Sequence, residues 1–125
     1  MKVLALDFGA ARTGVAVSDP TGTVARPVGV IEKAGTEAGL SRLVERINEE
    51  APERVVVGMP VTLRGAHGEQ ARATAEFVAA LRARVDVPVE TFDERFTSVL
   101  AGGDDAKAAA HLLSSYLEWS SRASR

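Results

Sequence analysis

From Lys2 to Phe8 the chain reads Lys-Val-Leu-Ala-Leu-Asp-Phe, apolar at consecutive positions and closed by an acid. A helix with one wet face would break such a run every third or fourth residue. Unbroken apolarity over this length reads as a buried strand. A strand of that kind needs neighbours in a sheet and helices over its faces, so the rest of the chain must supply both. Arg54-Val55-Val56-Val57-Gly58-Met59, stopped by Pro60, repeats the pattern. So does Pro88-Val89-Glu90-Thr91-Phe92-Asp93, again ending in an acid.

The intervening segments fill in the order. Gly9-Ala10-Ala11-Arg12-Thr13-Gly14 reads as a tight turn, and Val15 to Ser18 as a second strand returning from it. Asp19-Pro20-Thr21-Gly22 is a turn by composition. Val24 to Ile31 is a third strand, where Pro27 points to an edge or a bulge. Short links make these three strands an antiparallel meander. Thr36 can cap a helix to about Glu49, with Leu40, Leu43, Val44 and Ile47 on one stripe. Glu69 to Arg84 repeats that spacing through Thr74, Phe77, Val78 and Leu81. A last helix is expected from about Asp104 to Trp119. The order is βββαβαβα, and right-handed crossovers place the fourth and fifth strands parallel to the first. The expected fold is α/β, with a mixed five-stranded sheet flanked by helices. With 46% hydrophobic and 26% charged residues, the 125-residue chain has the balance of one folded domain. It is assigned to residues 1–120, with 121–125 as a frayed tail.

Several function classes fall away. The chain has no cysteine, which excludes thiolate zinc sites and cysteine nucleophiles. No apolar run approaches the roughly 18 residues of a membrane span, and an acid at position 7 is too early for a secretory signal. A cytoplasmic location without membrane contact is expected. There is no Gly-x-Ser-x-Gly elbow. The glycine turn lacks the Lys-Ser/Thr ending of a P-loop and is followed by a strand. The formal net charge of −2 marks no general polyanion binder, yet 12 of the 15 cations are arginine. Arginine holds phosphate bidentately, although a biased genome gives the same excess.

The strand ends carry the chemistry. In open α/β sheets the site lies beyond the carboxyl ends of parallel strands. Asp7 and Asp93 close two such strands. An acid there is costly unless it is paired or holds a metal, while a lone Asp often only caps a turn. A third acid shifts the balance. Asp105, Ala109, Leu112, Leu113 and Tyr116 share the core-facing stripe of the last helix, so Asp105 faces the sheet in its first turn. Asp104, one residue earlier, suits the N-cap. Three converging carboxylates repel one another, and divalent cations resolve the conflict. Two Mg²⁺ or Mn²⁺ ions about 4 Å apart would clamp the attacking and leaving oxygens of a phosphodiester. The metal set expected is Asp7, Asp93 and Asp105. Glu94 is the alternative to Asp93 if the strand register differs by one residue. Only His67 and His111 could add imidazole, and these read as a loop and a helix-face residue, so zinc is disfavoured. Arg12, at the turn beside the rim, and Arg95, just past Asp93, are candidates to hold phosphate. Arg64, in the loop after Pro60, is a weaker one.

Four blocks in order resemble the YqgF/RuvX family of ribonuclease H-like nucleases. Leu6-Asp7-Phe8-Gly9-Ala10-Ala11-Arg12-Thr13-Gly14-Val15-Ala16-Val17-Ser18-Asp19 is similar to its opening motif. Val57-Gly58-Met59-Pro60-Val61, with Gly65 and Gly68-Glu69-Gln70-Ala71, is similar to its second block. Phe92-Asp93-Glu94-Arg95-Phe96-Thr97-Ser98 resembles its Asp-Glu-Arg signature. The stretch from Asp105 to Leu117 resembles its final helix. The resemblance covers Lys2 to about Glu118 and implies a ribonuclease H sheet. It also implies metal-dependent hydrolysis carried by Asp7, the Asp93–Glu94 pair and Asp105. The implied substrates are four-way DNA junctions and precursor 16S ribosomal RNA. The family has a longer basic stretch before its final helix, where this chain has only Val99-Leu100-Ala101-Gly102-Gly103. Fewer cations there weaken phosphate neutralisation. Neither the acids nor the arginines choose between the two substrates, and a two-fold homodimer would suit a symmetric junction. The rival expectation is a non-catalytic nucleic-acid-binding module on the same fold. An actin-like kinase or ATPase needs two domains and many more residues.

Overall fold

The computed structural model describes residues 1–60, 68–93 and 105–123. The expected order βββαβαβα is present. The strands are β1 (Val3–Asp7), β2 (Arg12–Ser18), β3 (Ala25–Glu32), β4 (Arg54–Met59) and β5 (Val89–Asp93). The helices are α1 (Glu37–Glu50), α2 (Glu69–Arg82) and α3 (Asp105–Ala123). The sheet order is β3-β2-β1-β4-β5. β1, β2 and β3 form the antiparallel meander, and β4 and β5 run parallel to β1. β1 is central, and its four residues before Asp7 are buried, as its unbroken apolarity requires.

Period-two alternation sorts the sheet into two faces. Leu4 and Leu6 of β1, Val55 and Val57 of β4 and Val89 of β5 pack with Leu43 and Ile47 of α1 and Phe77, Val78 and Leu81 of α2. Val3, Ala5, Ala16, Val56 and Phe92 pack with Ala109, Leu112, Leu113 and Tyr116 of α3. One helix thus covers one face and two helices cover the other. Both of the alternatives raised by Pro27 hold: β3 is an edge strand, and Pro27 pairs with Ala16 where the register shifts.

The element ends differ from expectation in two informative places. β2 begins at Arg12, so the turn is shorter than the glycine pattern suggested. Gly14 pairs with Asp7 on one side, and Arg12 pairs with Glu32 on the other. Pairing on both edges thus draws residues 12–14 out of the turn and into the sheet. α3 continues past Trp119 to Ala123. Trp119 packs against Phe92 and Tyr116, and Arg122 pairs with Glu118 one turn back at 2.7 Å. The helix thus takes in residues 121–123 of the segment expected as a tail. Thr36 caps α1 as anticipated, its hydroxyl accepting from the Gly39 amide at 3.2 Å. Among the described residues no helix is long and apolar enough to cross a membrane.

Candidate active site

Asp7 is the last residue of β1, at the carboxyl end of the parallel strands. It shares the parity of Val3 and Ala5, which meet α3. Its paired neighbour on β2 is Gly14. The first turn of α3 presses directly onto that glycine. A Cβ built on Gly14 would lie 1.8 Å from the Asp105 carbonyl oxygen and 3.1 Å from the Ala106 amide nitrogen. Only a residue without a side chain lets the helix come this near. The close approach seats Asp105 over the residue paired with Asp7, so two acids 98 positions apart stand at one rim and on one face.

Asp93 stands differently. It ends β5 and pairs with Met59, so it reaches the same rim with β4 between it and β1. Two strand spacings separate it from Asp7, about 10 Å. Phe92 packs on the α3 side, and Glu90 bonds to Tyr116 of α3, while Val89 packs on the α1–α2 side. Alternation therefore gives Asp93 the parity of Val89, on the face away from Asp7 and Asp105. Glu94, Arg95, Arg64, His67 and Asp104 lie outside the described residues. Among the described residues no three His, Asp or Glu side chains gather closely enough to hold one ion. The carboxylates of Asp7 and Asp105 are hard oxygen donors of the kind Mg²⁺ and Mn²⁺ take.

Arg12 was expected to face phosphate. Its Nε lies 3.1 Å from Oδ2 of Asp105, with the Arg12 side chain 62% exposed and that of Asp105 34% exposed. The acid at the helix start therefore already has a cation beside it. The neighbouring Thr13 is fully buried on β2, and its hydroxyl has no hydrogen-bond partner among the described residues. On the far face, the Gln70 side-chain amide donates to the Phe8 carbonyl at 3.0 Å, fastening the start of α2 just behind Asp7. Phe8 stacks on Phe77 with ring centroids 4.3 Å apart.

Further along α3 a second polar group fixes its course. Arg54 Nη1 donates to the Tyr116 hydroxyl at 2.9 Å, and that hydroxyl donates to the Glu90 carboxylate. Burial, together with the bond to Glu90, pushes the Tyr116 phenol up, and the Tyr116 contact raises Arg54. These contacts tie α3 to β4 and β5 at the end of the sheet remote from Asp7. α3 is thus held at its start by the Gly14 seat and further along by Tyr116. Sequence reasoning placed Asp7 at a strand end and Asp105 at a helix start, where they stand, but missed Gly14, which it placed in a turn. A glycine inside a strand pattern is the signal that could have marked a close backbone approach.

Comparison with known proteins agrees with this architecture. The family named RuvX and described as Holliday junction resolvase matches residues 1–119. A candidate pre-16S rRNA nuclease of Chloroflexus aggregans is 46% identical over 99 residues, spanning 79% of this chain and 70% of its own length. A protein of the same name from Desulforudis audaxviator is 39% identical over 132 aligned positions, 94% of each chain. Among solved structures, Thermus thermophilus RuvC in complex with a Holliday junction substrate superposes with a TM-score of 0.64 at 18% identity. That match covers 97% of this chain and 96% of the RuvC chain. The Pelota protein of Thermoplasma acidophilum matches with a TM-score of 0.56 at 10% identity, over 98% of this chain and 39% of its own. At these identities the two structures share the fold.

Proposed function

Because this chain belongs to the RuvX family, whose description is Holliday junction resolvase, we propose that it is a divalent-metal-dependent nuclease hydrolysing phosphodiesters of structured nucleic acid. Precursor 16S rRNA and four-way DNA junctions are the two substrate classes to which its relatives' names and the family description lead. The observation that carries the reading is the seat of Asp105 on Gly14, beside Asp7 at the carboxyl end of β1.

Asp7 and Asp105 would hold Mg²⁺ or Mn²⁺ together with one acid of the Asp93–Glu94 pair. Asp93 ends β5 with the parity of the face away from Asp7, and Glu94 is the other member of that pair. Two bound ions would supply Lewis-acid stabilisation of the charge that builds on the phosphate. Asp7, on the central strand, has a backbone fixed by pairing on β2, so its carboxylate is held without loop motion. Arg12 orients a phosphate from the strand edge, and Arg95 and Arg64 add backbone contacts further along the nucleic acid. On this reading the protein acts in the cytoplasm, and a homodimer would present two sites to a symmetric junction.

The test is cleavage by the purified chain with Mn²⁺. An end-labelled four-way DNA junction and a precursor 16S rRNA fragment are run in parallel, beside the Asp7→Asn variant. Cleavage of either substrate that disappears in Asp7→Asn supports the reading and identifies the substrate. Tight binding of both without cleavage would make the chain a nucleic-acid-binding module instead.

A further inference from the structure

We propose that Arg12 couples divalent-cation binding to nucleic-acid binding, by exchanging the Asp105 carboxylate for a backbone phosphate. The proposal rests on Asp105 being a metal ligand, as argued above. The fixed and moving parts are separable in the structure. Asp105 has its backbone pinned on Gly14. The backbone of Arg12 is pinned by pairing with Glu32, and the Lys33 amide donates to the Ala11 carbonyl at 2.9 Å just before it. The guanidinium itself lies out in solvent, 62% exposed, and meets Asp105 through Nε at 3.1 Å.

An ion pair this exposed contributes little to stability. Its partner can therefore be exchanged at small cost, and the guanidinium fork accepts phosphate as readily as carboxylate. While Arg12 sits on Asp105, its positive charge opposes a second cation arriving at the same carboxylate. A phosphate that draws Arg12 away removes that opposition. Linkage makes the effect reciprocal: bound cation releases Arg12 for phosphate, and bound phosphate releases Asp105 for cation. The free protein then loads metal poorly, and loading is favoured where nucleic acid is present.

The experiment measures Mn²⁺ affinity directly, by the spin-resonance signal of free Mn²⁺ at low ionic strength. Wild type, Arg12→Ala, Arg12→Lys and Asp105→Asn are titrated with and without a hydrolysis-resistant phosphorothioate hairpin. Without the hairpin, Arg12→Ala is expected to bind Mn²⁺ about two- to fivefold more tightly than wild type, the range of an exposed ion pair. The hairpin should raise Mn²⁺ affinity more in wild type than in Arg12→Ala, by the same factor. Arg12→Lys, which keeps the charge, should restore the wild-type pattern. If Asp105→Asn weakens Mn²⁺ binding while Arg12→Ala leaves it unchanged, the coupling is refuted and the metal site stands. Arg12→Lys behaving like Arg12→Ala would also refute it, because charge competition would not be the cause. If Asp105→Asn binds Mn²⁺ as wild type does, the site assignment falls and the coupling with it.

Discussion

Replacing Gly14 with alanine tests the geometry on which the site depends. The new Cβ would lie 1.8 Å from the Asp105 carbonyl oxygen and 2.4 Å from its carbonyl carbon, where real Cβ contacts essentially never fall under 3.0 Å. Both opposing atoms are backbone, so no side chain can swing aside. The start of α3 must lift by more than an ångström, or β2 must bend away. Overpacking of this kind costs about 1–3 kcal/mol. At this chain length each kcal/mol lowers Tm by about 3–5 °C, so a fall between about 3 and 15 °C is expected. Asp105 is the first residue of α3 and moves with it. A misplacement of one ångström at a reacting centre costs about 10²-fold in rate. The assay pairs a circular-dichroism melt with the cleavage rate at a temperature where wild type and variant are both fully folded. A Gly14→Ala protein with wild-type Tm and rate would refute the close approach. A destabilised but fully active variant would keep the contact and remove Asp105 from the chemistry.

Other outcomes follow from the same structure. Asp7→Asn should leave the melt nearly unchanged and lower Mn²⁺-dependent cleavage by about 10³-fold, the scale of losing several kcal/mol of transition-state stabilisation; retained cleavage would refute the assignment. Tyr116→Phe removes the hydroxyl shared by Arg54 and Glu90. Hydrogen bonds to charged groups are worth more than neutral ones, but both partners are partly exposed, so urea titration should show a loss of about 1 kcal/mol after solvent screening. Asp19 accepts from the Thr21 hydroxyl and from the Val24 and Thr23 amides at 2.8 Å, and these bonds, Thr21 first, hold its carboxyl well below the usual range. A depressed folded pKa gives stability that is complete above the unfolded value near 4 and fades as pH falls through the folded value. The wild-type Tm should therefore drop more steeply than that of Asp19→Asn below about pH 4, and parallel curves would refute the turn's role.

Much of this molecule was legible in the one-dimensional pattern, because buried strands and one-sided helices write their burial into residue spacing. The runs at Val3–Leu6 and Val55–Val57 gave central strands. The stripes at Leu40–Ile47 and Ala109–Tyr116 gave helices with known inner faces. Short links gave an antiparallel meander, and the handedness of crossovers gave the parallel pair. Asp7 could be placed at a strand end and Asp105 at a helix start from local signals alone.

What the spacing left open was everything decided by contacts between distant segments. Alternation says that Asp93 and its neighbours take opposite faces, but which face belongs to α3 depends on where Val89 and Phe92 pack in the assembled sheet. Gly14 resembled turn punctuation because its reason for having no side chain is a helix that begins 91 residues later. Arg12 resembled a phosphate ligand waiting at a rim, and only the landing of α3 put a carboxylate within 3.1 Å of it. Periodicity records whether a residue is buried. Which residue it is buried against, and so which charges meet, is settled when non-local packing closes the fold.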